Sequence, residues 1–335
     1  DDVRRHRYKD NYCPIFFLFC LQIIIFKKEN MNMSTNIQVA SDIVTVSPDV
    51  KLYYEIRSSP GLPSSKESIK LVMIMGAFAT MRHFEEQAEY LVNYFSANQL
   101  PIEILTYDHR GIGKSLSTQS LRQTTRMLAD DALFLINHLW GIHSTIHIYG
   151  ASLGGMIAQE LALLLIPSNR LRSLYLAVTS RGSYVRPMSF GPRVWTKLMP
   201  FLIKKDREHM VRNVLLPASF TPETIKTVGE KYATIWINEY DQWWAFDNAN
   251  ACACQASAAG SHYLTNQGAN IIRNANIPIV VQIATQDKLI SAKKQNELAD
   301  LLGAKRVSFD EGHMGNEEVK QQIFQSVIQN IENLI

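Results

Sequence analysis

One stretch of the 335-residue chain has residue types and spacing suited to covalent chemistry: Tyr149-Gly150-Ala151-Ser152-Leu153-Gly154-Gly155. It has the form G-x-S-x-G, and it lies directly after an apolar strand-like run and directly before a helix-like segment. A strand that passes straight into a helix must turn sharply, and a serine at that turn projects its hydroxyl clear of the backbone. Gly150 and Gly154 leave room where side chains would collide with the turn and the neighbouring strand. The helix starting at Leu153 points its first N–H groups toward any developing oxyanion. An incidental serine on a plain turn is the simpler alternative; the context argues instead for Ser152 as a nucleophile.

A serine hydroxyl is too weakly acidic to attack unaided and needs a base. His313, in Glu311-Gly312-His313-Met314-Gly315, is the only histidine after the last apolar core run. Its flanking glycines leave a loop that can carry the imidazole over a sheet edge. The base in turn needs an orienting carboxylate. Asp287 follows the apolar run 278–284 directly and supplies one. A surface-loop histidine and a turn aspartate are the bland readings of these two. The Ile74-Met75-Gly76-Ala77-Phe78 loop and the start of the Ser152 helix complete the set, with the N–H groups of Ala77 and Leu153 as expected oxyanion donors. Phe78 is the next choice if the loop is shifted.

These residues need a frame that brings distant segments to one rim. Residues 37–46 and 51–56 read as two strands joined by a turn at Ser47-Pro48-Asp49. Short apolar runs follow at 69–75, 102–107, 145–149, 174–178, 278–284 and 306–309. Amphipathic stretches at 81–97, 121–139, 153–165, 292–302 and 316–334 alternate with them. Strands so uniformly apolar are buried on both faces, which predicts a mostly parallel, doubly wound sheet with helices on each side and an N-terminal antiparallel hairpin. Between Ser180 and Gly268 no parallel strand is evident, and the text turns helical and aromatic. Four of the five tryptophans lie there: Trp195, Trp236, Trp243 and Trp244. That interval predicts an inserted helical cap over the carboxyl edge of the sheet, where open α/β sheets place ligands. The expected division is 1–36 as an N-terminal extension, 37–180 as the first part of the core, 181–268 as the cap and 269–335 as the second part of the core. Trp236, Trp243 and Trp244, with Tyr240 and Phe246, are partly at helical spacing, so cap packing is their default; those facing Ser152 would form an apolar substrate site with Phe78.

With these motifs in place, the chain resembles the cofactor-independent α/β-hydrolase superfamily over roughly Ile37 to Ile335, and most of all small serine esterases and lipases with a helical lid. Four matches carry the resemblance: the Met75-Gly76 loop, the Ser152 turn, the late Asp287/His313 pair, and Asp108-His109-Arg110-Gly111-Ile112-Gly113-Lys114-Ser115. The last is similar to the family's structural D-x-R-G-x-G-x-S loop, and it lacks the spacing of a phosphate-binding Walker loop. The family often has His where this chain has Met75, a change that bears on the loop more than on a hole built from backbone. Serine at the turn also separates the chain from relatives with an aspartate nucleophile. The resemblance implies hydrolysis of a small, largely apolar carboxylic ester without cofactor or metal. It leaves open cleavage of a thioester or an activated C–C bond by the same triad, acyl transfer to an alcohol, and a receptor-like protein that keeps the fold and pocket without fast turnover.

Composition agrees with a small-molecule enzyme. At 46% hydrophobic residues the chain can fill a sizeable core, and 34 Lys+Arg against 31 Asp+Glu leaves no broad basic surface for nucleic acid. Within residues 1–30, Arg4 to Lys9 form a basic stretch and residues 14–26 an apolar one broken only by Gln22. That run is short of the roughly 20 residues a membrane span needs, so stable insertion is not expected. It is followed by Lys27-Lys28-Glu29-Asn30 rather than a small-residue cleavage site. Met31 and Met33 stand where the globular pattern begins, and we read residues 1–30 as a leader that the natural protein lacks. A secretory signal or anchor is the alternative. Apart from that segment only Cys252 and Cys254 remain, a spacing poor for a disulfide and weak for a metal, which points to a reducing, cytoplasmic setting. Expression from Met31 is expected to leave folding and activity unchanged; a loss of soluble protein would show the first thirty residues to be part of the fold.

Overall fold

Alternating short apolar runs and amphipathic stretches fold into a layered sheet in the computed structural model, which describes residues 37–59, 67–118, 122–183 and 206–332. The N-terminal extension 1–36 and Trp195 lie outside the described residues. The strands are β1 (Gln38–Ser47), β2 (Val50–Ser58), β3 (Ile69–Ile74), β4 (Ile102–Tyr107), β5 (Leu116–Ser117), β6 (Ile146–Ala151), β7 (Leu171–Ala177), β8 (Ile279–Ala284) and β9 (Lys305–Phe309). They form one sheet in the order β1-β2-β4-β3-β6-β7-β8-β9, with β5 paired to β2. Pairs involving β1, β2 and β5 are antiparallel, and every pair from β4 to β9 is parallel. The two-residue β5 falls in a loop whose sequence carries no strand periodicity, and pairing with β2 alone makes it a strand.

Among helices of eight residues or more, α1 is Glu85–Ala97, α2 Thr125–Trp140, α3 Leu153–Leu165, α4 Pro222–Asn238, α5 Ala249–Ser261, α6 Asn266–Arg273, α7 Ala292–Leu302 and α8 Glu317–Glu332. Parallel strands need crossovers, and these helices provide them on both faces. Leu128 and Leu135 of α2, Met156 and Leu161 of α3 and Leu298 of α7 pack on one face. Leu91 and Phe95 of α1, with Phe324 and Val327 of α8, pack on the other. The central strand β6 is buried along nearly its whole length, which accounts for its uninterrupted apolar reading.

Between β7 and β8 the described chain is helical. Short turns at Arg207–Met210, Val211–Leu215 and Leu216–Ser219 lead into α4, and Tyr240–Trp243 connects α4 to α5. Local chemistry sets the starts of these helices: Thr221 Oγ1 accepts from the Thr224 N–H with Pro222 behind it, and Asn248 accepts from the Ala251 N–H. The root of this insertion is closed by pairing of Arg181–Ser183 with His262–Leu264, where Leu264 N–H donates to Arg181 O at 2.8 Å and Ser183 N–H to His262 O at 3.2 Å. The expected boundary at 268 falls inside α6. That helix starts at its Thr265 cap and buries Ala269 and Ile272 in the sheet core, so it belongs with the sheet. Among the described residues no helix is long and apolar enough to cross a membrane.

The loop after β4 is structural. Asp108 accepts from the Met81 and Lys114 N–H groups, both at 2.9 Å, and Ser115 Oγ links Asp108 O to Tyr53 N–H. Arg110 makes a buried two-point contact with Asp131 of α2. The contact that fixes the site's position lies at Gly154. A Cβ there would stand 1.9 Å from Ile74 O, so β3 and the start of α3 approach as closely as only glycine allows. Gly154→Ala is expected to cost about 3 kcal/mol or more through forced separation of β3 and α3. A lowered urea midpoint would register it, and a wild-type midpoint would contradict the packing argument.

Candidate active site

The turn between β6 and α3 places Ser152 at φ 57° and ψ −117°, outside the regions that residues with side chains normally occupy. Such a conformation persists only where its surroundings oppose relaxation. Ser152 N–H donates to Ala177 O at 2.9 Å, and Thr179 Oγ1 donates to Ser152 O at 2.7 Å. Gly76 lies against the same residue: a Cβ added there would come within 3.2 Å of the Ser152 Cβ. The serine is thus locked between the ends of β3 and β7.

Asp287, after β8, and His313, after β9, are joined by a hydrogen bond of 2.7 Å from Nδ1 to Oδ2. Asp287 is held by its other contacts. Oδ1 accepts from the Leu289 and Ile290 N–H groups, and Oδ2 also accepts from Gln295 Nε2 at 2.9 Å. With Nδ1 donating to the carboxylate, Nε2 is the imidazole's free base. Ser152 and His313 line one cavity of about 130 Å³. Among the described residues no hydrogen bond joins the serine hydroxyl to the imidazole. The loop bearing His313 is fastened from both sides. Glu311 accepts from Thr224 Oγ1, from Asn316 Nδ2 at 2.9 Å and from Gly312 N–H at 2.9 Å, while Met314 N–H donates to Ser219 O.

Ala77 lines the cavity and Leu153 opens α3, where a first helical residue has no carbonyl one turn back to bind its N–H. The N–H of Phe78, the alternative donor, is directed elsewhere: it donates to Gln255 Oε1 at 2.6 Å. The strand end beneath this loop is pinned by His109, whose Nε2 donates to Met75 O at 2.9 Å.

The cavity is apolar, with Phe78, Trp244, Phe246, Val214, Leu215 and Met314 in its wall. Two expected substrate contacts lie elsewhere. Trp236 is 1% exposed and packs on Phe220 and Tyr232 within the cap. Trp243 donates Nε1 to Glu239 and lies under the Arg82 guanidinium. These rings pack within the helical insertion, and Trp244, which follows the turn Tyr240–Trp243, lines the cavity with Ser152. His83, four residues beyond Ala79, also lines the cavity. Its Nε2 donates to Trp243 O, and the rings of Trp236, Trp243 and Trp244 surround it at 4.7 to 6.1 Å. Desolvation pushes its pKa down to about 3. A second cavity of about 120 Å³ shares His83, His313 and Met314 with the first and is lined also by Gln87, Tyr149 and Gln282.

Sequence reasoning missed the polar residues behind the site: Gln295, Gln255, Thr179, Thr224 and Glu311. Gln295 and Gln255 are both fully buried. Each interrupts an otherwise small or apolar helix face, which is the only signal the chain carries for them. Two further buried histidines are structural. His262 joins Thr125 to Gln159, and His147 is bonded to Ser173. Cys252 and Cys254 are buried, and among the described residues neither forms a disulfide. Among the described residues no group of three or more His, Cys, Asp or Glu is placed to hold a metal ion.

With this geometry in place, comparison with known proteins gives consistent results. Residues 70–318 match the family described as alpha/beta hydrolase fold. Similar solved structures include a hydrolase from Pseudomonas aeruginosa (21% identity, TM-score 0.65, covering 89% of this chain and 99% of that one). An enol-lactonase from Burkholderia xenovorans is similar at 20% identity and TM-score 0.65, over 87% of this chain and 100% of its own. A thermophilic esterase from Thermogutta terrifontis is similar at 18% identity and TM-score 0.63, over 89% and 99%. At these identities the likeness concerns the fold.

The buried histidines generate a pH prediction. Burial pushes His262 down to about 3 and His109 and His147 to about 4, whereas an unfolded chain titrates them near 6.5. Between about pH 6.5 and pH 4 the unfolded state therefore binds protons that the folded state does not, and stability falls as pH falls. The urea midpoint is expected to drop steadily from pH 7 to pH 4.5, less steeply in His262→Gln. Equal slopes for the two proteins would contradict this.

Proposed function

We propose, for a chain that belongs to the α/β-hydrolase-fold family, that it is a serine hydrolase cleaving a carboxylic ester of a small, largely apolar substrate through an acyl-enzyme on Ser152. One observation carries this reading. A serine held in a left-handed turn shares an apolar cavity with a histidine that is itself bonded to a buried aspartate at 2.7 Å.

In this mechanism Ser152 Oγ attacks the ester carbonyl carbon while His313 Nε2 takes its proton. The carbonyl electrons move to oxygen, and the oxyanion is received by the N–H groups of Ala77 and Leu153, with the positive end of α3 behind the second. As the tetrahedral centre collapses, the bond to the alcohol oxygen breaks and His313 returns the proton to that oxygen. Water then adds to the acyl-enzyme with His313 again as base, and collapse restores the Ser152 hydroxyl. Asp287 keeps Nδ1 protonated throughout and stabilises the imidazolium. Its two backbone and one glutamine hydrogen bonds leave the carboxylate little freedom to turn away. The cavity's small volume and aromatic wall favour short acyl or alcohol groups, and esterase and enol-lactonase activities named for two similar structures fit oxygen-ester cleavage. No cofactor enters any step.

The test is hydrolysis of short-chain p-nitrophenyl esters. Wild type is expected to turn over and to be labelled by a fluorophosphonate, and Ser152→Ala to do neither. An unlabelled, inactive wild type would overturn the reading. Asp287→Asn places an amide where Oδ2 now accepts from both His313 and Gln295, and it is expected to lower kcat by about 10³-fold or more. An active Asp287→Asn enzyme would remove Asp287 from the mechanism.

A further inference from the structure

The loop that presents Ala77 is built against the cap as much as against the sheet. Beyond Gly76, Ala245 N–H donates to Phe78 O at 2.9 Å, Thr80 N–H donates to Trp243 O at 3.0 Å, and Ala79 bridges Trp244 in antiparallel fashion. Phe78 has φ 66°, so it too occupies the left-handed region that residues with side chains rarely adopt. Contacts among the described residues oppose its relaxation, including the bond from Ala245, a ring contact with Phe246 at 5.3 Å, and the 2.6 Å bond from its N–H to Gln255. The last comes from α5, far along the chain.

Gln255 is fully buried, and among the described residues its Nε2 has no hydrogen-bond partner. A buried carboxamide with an unsatisfied donor side costs free energy, and a leucine of similar size would avoid that cost. What the leucine would lack is the acceptor for Phe78 N–H. Without it, that N–H would be left unpaired beside the cavity, and the Ala77–Phe78 peptide would be free to rotate. That peptide directly follows the one that carries Ala77 N–H, so its release removes the next restraint along the same loop.

We propose that Gln255 is a positioning residue of the cap: by accepting from Phe78 N–H it fixes the oxyanion loop, so that Ala77 N–H and not Phe78 N–H meets the developing oxyanion. The proposal rests on the serine-hydrolase reading of the site. It makes the cap part of the catalytic geometry as well as its roof, since α5 then sets the loop's backbone.

Gln255→Leu tests this, with Gln255→Met as a second variant should the first fail to fold. Amide exchange at Phe78, kcat and KM on a short p-nitrophenyl ester, and inhibition by a phenylboronic acid, whose tetrahedral adduct carries an oxyanion-like oxygen, are the readouts. Phe78 exchange is expected to accelerate, kcat to fall about 10- to 100-fold with KM changed less than about threefold, and the boronate Ki to rise in step with the loss in kcat/KM; full loss of one donor costs about 10²–10³. Asn248→Ala removes the cap of the same helix without touching the loop, and it is expected to lower the melting temperature while kcat stays at the wild-type value. A folded Gln255→Leu or Gln255→Met enzyme with wild-type kcat, a loss confined to KM, or an equal kcat loss in Asn248→Ala overturns the proposal alone. A wild type with neither turnover nor fluorophosphonate labelling overturns the reading beneath it as well.

Discussion

The close approach of β3 to the beginning of α3 is the constraint on which the site depends. At Gly154 the two backbones come together with no space for a single methyl group. That contact makes the turn at Ser152 tight enough to force a left-handed serine, and it brings the end of β3, with Gly76 and Ala77, alongside the serine. Widening the contact would move the proposed nucleophile and one proposed oxyanion donor apart together. The strain at Ser152 is offset locally by bonds from Thr179 and to Ala177, both of which come from the end of the adjacent strand β7.

The helical insertion adds a second layer of restraint. The His313 loop is fastened through Glu311 and Met314 to residues around Ser219 and Thr224, and the loop after β3 is strung along residues 243–245 and Gln255. Phe78, Ala79 and Trp244 belong to the same apolar cluster as Trp236 and Phe220. Apolar burial of the cap and backbone order at the rim are therefore the same structural event. A cap that rode loosely on the sheet could not supply these bonds, because each acceptor must be placed to within a few tenths of an ångström.

Much of this was legible in the chain. The parallel strands announce themselves because burial on both faces demands unbroken apolar runs, and the G-x-S-x-G turn does so because its geometry admits few residues at the flanking positions. Asp287 and His313 could be singled out since each directly follows a late core strand, the place where an α/β sheet presents side chains to a ligand. The cap's aromatics were harder. Helical spacing says that Trp236, Trp243 and Trp244 share a segment, but not that α4 ends at Asn238 and that a separate turn, Tyr240–Trp243, carries Trp244 to the cavity. The place of His83 is illegible for a similar reason: its surroundings are tryptophans about 150 residues away in the chain.

Local chemistry in the sequence therefore determined the strands, the helix caps and the nature of the reactive groups, because those depend on neighbours within a few residues. Tertiary structure alone decided which polar side chains support them. Gln255 behind Phe78 and Thr224 behind Glu311 each satisfy a group far off in sequence, and Gln295 reaches back eight residues to Asp287. A buried glutamine or threonine looks the same in the chain whether it holds a reactive loop or caps a turn. Only the folded arrangement shows what its hydrogen bonds restrain.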